Sequence, residues 1–331
     1  MSSATDVMDE TAARRGIDPR TIFRDRPIIP LIALLLGLVA VVELLQPGIV
    51  SERWISNIIR FAIPLAILAA AQTLTMLTGG IDLSVGIVAT MTAFVMATQT
   101  PHLGTGLAIV VALGVAALAG LGSGIGVGIF RVHPLIMTLA VGLVVEGLLL
   151  VYQRLMLGTR SEIPELITWL GADRSFGVIP NSLLVFVPLA VIIWFLLKRT
   201  GFGRLLYAIG DNEGATRLAG VRYWQVIISL YILSAVLAGI GGLLYVGLIK
   251  ASSLSLAVPL VLPSVAAAVI GGTSIFGGRG GYGGTIVGAL VLQVLATLLL
   301  VLQVPEGTRR VVFGLIILGV TAAYTRITEE R

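Results

Sequence analysis

The chain has 331 residues, of which 57% are hydrophobic and only 12% are charged. Because soluble domains carry about 25% charged residues, this composition cannot cover a water-facing surface and indicates an integral membrane protein. The net charge of +5 is spread over short loops between apolar runs, which argues against a nucleic-acid-binding surface. The lack of cysteine excludes disulfides and thiolate metal sites, and two histidines are too few for a metal cluster, so no metal site is expected.

Residues 1–26 form a polar N-terminal segment. This segment contains five arginines and lacks the short apolar core and small-residue cleavage site of a secretory signal. We therefore interpret it as a cytoplasmic tail. The following residues, 27–326, are predicted to form a single transmembrane domain, and 327–331 a short cytoplasmic C-terminal end.

Ten apolar runs approach the roughly 20 residues that an α-helix needs to cross the bilayer core. The sequence therefore predicts an all-α integral membrane protein with about ten transmembrane helices. The predicted spans are 27–45, 58–77, 84–100, 105–130, 134–157, 181–197, 224–249, 260–275, 282–302 and 310–324.

The distribution of basic residues orients these spans. With the N-terminus in the cytoplasm, 14 of the 22 Lys and Arg residues fall in cytoplasmic segments, as the positive-inside rule requires. An even number of spans then returns the C-terminus to the cytoplasm. Two connections are long, one outside at 158–180 and one in the cytoplasm at 198–223.

The long cytoplasmic connection contains a predicted short helix. Asn212 is a good N-cap residue, Glu213 places a negative charge in the first turn, and Gly220 suits a C-terminal stop. Glu213 and Arg217 can pair at i,i+4, and Leu218 belongs to a small apolar face. Because so short a helix is marginal in water, it needs a surface to lie against. Two alternatives stay open at this point: it packs on its own bundle, or it docks to a cytoplasmic partner.

Two glycine-rich breaks, at 69–86 and 271–284, interrupt the apolar sequence. Irregular backbone at membrane depth survives only where protein or trapped water satisfies its polar groups, so such breaks line cavities or form tight turns. Their position near the cytoplasmic boundary favours turns, and glycine for close helix packing is the alternative. The candidates for a translocation path or gate in these breaks are Gln72, Gly79, Gly80, Asp82, Ser84, Thr273 and Ser274.

Glu146 is the most centrally placed ionisable residue of a predicted span. Ionisable groups at membrane depth are costly and usually face a bundle interior or a pathway. We therefore add Glu146 to the candidates for the translocation path or gate. A carboxylate satisfied by a neighbouring helix is an equally good interpretation of this position.

The chain lacks a phosphate-binding loop. Such a loop needs Gly-Lys followed by Ser or Thr, so that backbone amides and the lysine can hold phosphates. The two lysines, Lys198 and Lys250, do not follow glycine. The chain is therefore not expected to be an enzyme that hydrolyses ATP by this route, and ATP-driven transport would need a separate subunit.

Three motifs resemble those of one family, the permeases of ribose-type (monosaccharide) ABC sugar importers. They are residues 78–86 (Thr-Gly-Gly-Ile-Asp-Leu-Ser-Val-Gly), the segment 202–220 that begins Phe-Gly-Arg, and residues 269–274 (Val-Ile-Gly-Gly-Thr-Ser) with the glycine-rich 277–280. They occur in the order typical of the family, and the resemblance extends over about 55–326.

The resemblance implies a ten-helix permease of the bacterial plasma (inner) membrane that works as a pair, either a homodimer or a dimer with a close paralogue. Its implied partners are two cytoplasmic ATP-binding subunits, which hold the ATP and Mg, and an external sugar-binding protein. No cofactor is implied for this chain itself. The residues implied in coupling to the ATPase are Arg204, Asn212, Glu213, Arg217, Leu218 and Gly220.

The chain departs from the family at 261–263, where Val-Leu-Pro replaces a common Glu-Leu-Asp. This loss of two acidic groups puts ribose itself in doubt as the substrate. Two alternatives to a sugar permease are a branched-chain amino acid or nucleoside ABC permease and an ion-driven secondary transporter. The secondary transporter predicts two inverted halves with matching broken helices, whereas the two breaks here keep the same orientation.

Overall fold

The computed structural model describes residues 28–158 and 161–305, followed by 307–309, 311, 312, 314, 315, 318 and 319. The predicted tail 1–26, the C-terminal end 327–331 and most of the predicted span 310–324 lie outside the described residues. The described helices are α1 (Ile28–Leu45), α2 (Glu52–Met76), α3 (Val85–Gly128), α4 (Pro134–Leu155), α5 (Glu165–Ala172), α6 (Leu183–Arg199), α7 (Gly201–Asp211), α8 (Glu213–Leu218), α9 (Tyr223–Ile249), α10 (Val261–Ile270) and α11 (Tyr282–Val301).

Six of the described helices are long and apolar enough to cross a membrane, namely α1, α2, α3, α4, α9 and α11. A seventh candidate is formed by α6 and α7 together, which are bent by 65° relative to each other. Thr200 begins α7 as its N-cap, accepting a hydrogen bond from the Gly203 amide at 3.2 Å. Where the sequence predicts a span at 260–275, α10 has 10 residues and is only about 15 Å long, so it does not cross the bilayer core alone.

Helix α3 combines two predicted spans in one 44-residue element. Its helical geometry is interrupted at Gly104, with φ 74° and ψ 163°. Thr92 and Leu113, which a straight helix would separate by about 31 Å, both lie within 3.2 Å of the Cβ position of Gly239 on α9. The chain therefore reverses near Gly104, and the two predicted spans are the two arms of a helical hairpin.

Helices α2 and α9 form the centre of the bundle. In α2, every residue from Ala62 to Met76 is buried. The second arm of α3 approaches the backbone of α9 through Gly120, Gly124 and Gly128, at a spacing of four residues that lets helices pack closely in lipid. The outer helices α1, α4 and α6 keep large apolar side chains exposed, as a lipid-facing surface requires.

The long connection predicted outside the membrane is a folded cap. It consists of α5 and a two-stranded antiparallel hairpin, β1 (Arg174–Ser175) and β2 (Ile179–Pro180), in which Arg174 pairs with Pro180. The cap is fastened to the beginning of α2, because Arg174 donates to the Asn57 side chain at 2.6 Å and Arg60 donates to the carbonyl oxygen of Ala172. Gly171 of the cap also lies directly on the α9 backbone near Leu248.

Candidate translocation and coupling site

The first glycine-rich break begins where α2 ends at Met76. Gly79 has φ +78°, and the amide of Gly80 returns to the carbonyl oxygen of Thr75 at 3.1 Å. The side chain of Gln72 pairs with the backbone of Asp82, donating to its carbonyl at 2.7 Å and accepting from its amide at 3.2 Å. An amide side chain thus supplies the partners that helical geometry no longer provides in this buried break.

The carboxylate of Asp82 holds the first break against α9. Its side chain is 1% exposed. One oxygen accepts from the amide and the hydroxyl of Ser84, at 3.0 and 2.6 Å, and the other accepts from the hydroxyl of Ser234 at 2.8 Å. Together these three hydrogen bonds fix the break in place. In this conformation the side chains of Asp82 and Ser84 are both enclosed by the surrounding chain.

The second break follows α10 and is also a tight, internally bonded turn. The amide of Ser274 donates to the carbonyl oxygen of Arg279 at 2.9 Å, and the Ser274 hydroxyl accepts from the amide of Phe276 at 3.1 Å. Thr273 is fully buried, and its hydroxyl has no hydrogen-bond partner among the described residues. Gly277 and Gly278 both have positive φ, which glycine adopts without strain.

The two breaks touch each other and share α7 as a common neighbour. The Gly278 amide donates to the Leu77 carbonyl at 3.0 Å. Gly210 of α7 lies against both of these groups, so closely that a Cβ there would collide with backbone atoms of each break. Tyr207, also on α7, donates its hydroxyl to the Gly280 carbonyl at 2.9 Å. The first helix of the predicted cytoplasmic connection therefore bridges both predicted breaks.

The short helix predicted in the cytoplasmic connection is present as α8. Asn212 caps it, accepting from the Ala215 amide at 2.9 Å, and Gly220 follows it with φ +86°. The Glu213–Arg217 pair is present at 3.8 Å. Leu218 is 92% exposed, so the predicted apolar face is not buried in the chain's own bundle.

Contacts that the sequence analysis missed fix both helices of this connection. The hydroxyl of Thr216 joins α8 to α7 by donating to the Ala208 carbonyl at 2.9 Å. Arg131, in the turn between α3 and α4, donates to Glu213, and its guanidinium lies 3.8 Å above the ring of Tyr223. Since Arg131 and Glu213 are 82 positions apart, no local pattern could pair them. Arg204, predicted with the coupling residues, is exposed on α7.

Glu146 is not brought together with the two breaks. It is exposed on α4, and the space around the Cβ position of the adjacent Gly147 is open. About two helical turns earlier, Thr138 of the same helix contacts the first break, accepting from the Leu83 amide at 3.0 Å and donating to the Ile81 carbonyl at 3.2 Å. Thus α4 supports the first break with Thr138 while presenting Glu146 on the surface of the single chain.

A family model described as the branched-chain amino acid transport system / permease component matches residues 54–321, which is well over half of the chain. The chain belongs to this permease family. The matched range contains both breaks, α7 and α8, so the site described above is a feature of the family's region of the chain. As a permease the chain is a transport component, and it is not an enzyme.

Relatives of this permease are sugar import proteins by name. The ribose import permease protein of Escherichia coli is 34% identical over 294 residues, which cover 87% of this chain and 90% of the relative. The fructose import permease protein of Rhizobium meliloti is 32% identical over 88% of this chain and 82% of its own length. The galactofuranose transporter permease protein of Escherichia coli is 33% identical over 80% of this chain and 77% of its own length. No solved structure matches the chain. The resemblance to ribose-type permeases is thereby confirmed.

Proposed function

We propose that this chain is the transmembrane permease subunit of an ABC importer and forms the translocation path for a monosaccharide or related polyol. The observation that carries the proposal is the similarity to three sugar import permeases over 80% or more of this chain. The same similarity favours a sugar over the branched-chain amino acid or nucleoside alternative. The Val-Leu-Pro sequence at 261–263 supports a sugar other than ribose.

A second permease copy covers the exposed face of α4 that carries Glu146. This residue lies near the middle of a 22-residue helix. An ionised carboxylate facing lipid at that depth would cost at least about 2.5 kcal/mol, so the face needs protein or water against it. Open space at Gly147 leaves room for a close helix–helix approach. In a homodimer, or a dimer with a close paralogue, Glu146 then lines the path between the copies and accepts hydrogen bonds from sugar hydroxyls.

The cytoplasmic ATP-binding subunit, which holds ATP and Mg, docks on α8. Support comes from the exposed Leu218 and from Arg217, whose side chain is 58% exposed. Movement of α8 passes to α7 through Thr216, and α7 contacts both breaks through Tyr207 and Gly210. The breaks then shift relative to α9, which opens the path alternately to either side.

The external sugar-binding protein delivers its ligand at the cap of α5 and the β-hairpin. Phe176, at the turn of the hairpin, is 93% exposed, and Trp169 is 42% exposed. Aromatic side chains of this kind dominate the binding energy of protein interfaces. This assignment places the cap outside and both termini in the cytoplasm of a bacterial plasma (inner) membrane, with about ten spans, in agreement with the basic-residue distribution.

The proposal is tested by reconstituting the permease in vesicles with its ATP-binding subunit and its external binding protein. We expect uptake of a radiolabelled sugar only when ATP is present on the side of the membrane that carries the ATP-binding subunit. Uptake driven by an ion gradient without the ATP-binding subunit would overturn the proposal in favour of a secondary transporter. Uptake of leucine but of no sugar would support the amino acid permease instead.

The Glu146 assignment is tested by Glu146→Gln, which keeps the shape of the side chain and removes its charge. A hydrogen bond to a charged group is worth about 1.5–3 kcal/mol, so uptake should fall by on the order of tenfold while dimer mass in detergent stays unchanged. Glu52→Gln, at the exposed first turn of α2 and outside both α4 and the cap, removes an equal charge and serves as the control. Equal uptake by the two variants would remove Glu146 from the path.

A further inference from the structure

A basic cleft lies where α3 ends and α9 begins. It is lined by three arginines, Arg131, Arg217 and Arg222, together with Ile129, Tyr223 and Trp224. One carboxylate, Glu213, pairs with two of these arginines. Three guanidinium groups and one carboxylate leave an excess of two positive charges, so the cleft attracts an anion.

The position of Arg131 in this cleft is held by several interactions at once. Its backbone has φ 59°, a left-handed conformation that a residue with a side chain adopts at an energetic cost. Its guanidinium is stacked 3.8 Å from the centre of the Tyr223 ring and is bonded to Glu213. The group is therefore preorganised at the cleft wall and loses little side-chain entropy when it binds a ligand.

The lining of the cleft is also partly apolar. Ile129 is 52% exposed and Trp224 is 46% exposed, and both lie at the ends of helices long and apolar enough to cross the membrane. Tryptophan at such a helix end is typical of the level where lipid headgroups meet the hydrocarbon core. A ligand that matches both the basic and the apolar lining has an anionic phosphate and an attached apolar chain. Basic pockets between membrane helices bind lipids of this kind.

We propose that this cleft binds the phosphate headgroup of an anionic phospholipid. The phosphate lies between Arg131 and Arg222, and the acyl chains leave the cleft past Ile129 and Trp224. Because Arg217 belongs to α8, the bound lipid ties the short helix to the membrane ends of α3 and α9. The lipid composition of the membrane then regulates how firmly α8 is held, whatever solute the permease carries.

The experiment uses the purified full-length chain in neutral detergent and native mass spectrometry with dioctanoyl phosphatidylglycerol. We expect retention of this lipid, little retention of dioctanoyl phosphatidylcholine, and a higher Tm with phosphatidylglycerol only. Each basic residue near a lipid phosphate contributes enough that Arg222→Gln should weaken retention by about fivefold. Arg199→Gln removes the same charge at the exposed end of α6, outside the cleft, and should leave retention unchanged.

Further arms identify the source of the anion. Inorganic phosphate should raise the Tm much less than the lipid, because it cannot contact the apolar lining residues Ile129 and Trp224. Equal stabilisation by phosphate would make the cleft a simple anion site and overturn the lipid proposal. Two other results would also overturn the lipid proposal. One is an equal loss of lipid retention in Arg222→Gln and Arg199→Gln, and the other is unchanged lipid retention in Trp224→Ala. If Arg222→Gln does not fold, Arg131→Lys replaces it in the test. This variant keeps the positive charge but removes the planar guanidinium that is stacked on Tyr223, and we again expect weaker lipid retention.

Discussion

Replacement of Gly210 by alanine tests whether α7 transmits movement to the two breaks. The added Cβ would be placed against the carbonyl of Leu77 and the amide of Gly278, one from each break. Both obstacles are backbone atoms that are themselves hydrogen-bonded to each other at 3.0 Å. The contact cannot be relieved by a side-chain rotation, so α7 or the breaks must move apart.

The size of the effect follows from two opposing terms. Alanine in place of glycine favours a helix interior by about 1 kcal/mol, and the gain is smaller at Gly210 and Gly201, which both lie in the end turns of α7. An inserted methyl group in a tightly packed site costs about 1–3 kcal/mol. Gly201, on the same helix, provides the control, because the nearest atom to its Cβ position is a flexible Arg204 nitrogen at 3.9 Å. The difference between the two variants therefore reports the contact alone.

The assay is the number of sugar molecules imported per ATP hydrolysed, in vesicles that contain the complete importer. Gly210→Ala should lower this ratio by roughly tenfold, which corresponds to about 1.4 kcal/mol. Basal ATP hydrolysis should stay close to normal, because the exposed surface of α8 is unchanged. Gly201→Ala should match the unmodified chain. Equal coupling in both variants would refute the view that α7 acts through its contact with the breaks.

Three further predictions concern the site. Ser234→Ala leaves one side-chain oxygen of the buried Asp82 without its partner and should reduce the free energy of unfolding by about 1–3 kcal/mol. Ser229→Ala, on the exposed side of α9, is the control and should leave the free energy of unfolding unchanged. Both are measured by thermal unfolding in detergent. Glu213→Arg breaks the ion pair with Arg131 and should lower the number of sugar molecules imported per ATP two- to fivefold, because an exposed ion pair is worth up to about 1 kcal/mol. The double variant with Arg131→Glu reverses the pair and should restore this number. A double variant that stays as low as Glu213→Arg would contradict the pairing. Phe176→Ser should weaken stimulation of ATP hydrolysis by the external binding protein by about tenfold, and unchanged stimulation would exclude the hairpin from that interface.

Local signals in the sequence predicted the parts of the site that are built from neighbouring residues. The cap and end of α8 depend on Asn212 and Gly220, which act within one or two turns, and both were identified from residue type and spacing. The glycine-rich breaks were located for the same reason. The predicted span at 260–275 was too long, because the apolar run continues while the helix ends at Ile270, before a pair of glycines.

Partnerships across the bundle could not be predicted in this way. Gln72 was selected as a polar group at membrane depth, yet its bond to the backbone of Asp82 depends on how the break folds back on α2. Ser234 was not selected at all, since a lone serine in an apolar helix gives no signal before its carboxylate partner is placed. Gly210 likewise looks like an ordinary helical glycine until the two breaks are placed around it.

The arrangement of rigid and adjustable parts determines where conformational change is taken up. Helix α2 extends from Asn57, which is bonded to the cap, to Gln72 at the first break. Helix α9 extends from Tyr223, on which Arg131 is stacked, to the cap. Both helices are buried and closely packed, as is typical of elements that keep their shape during a conformational change. The breaks differ, because their positive-φ glycines can rotate without the steric cost of a side chain. In the proposed coupling, a push on α7 would change the angle between α2 and α9 at the breaks, and the cap, attached to both helices, would respond to the same change.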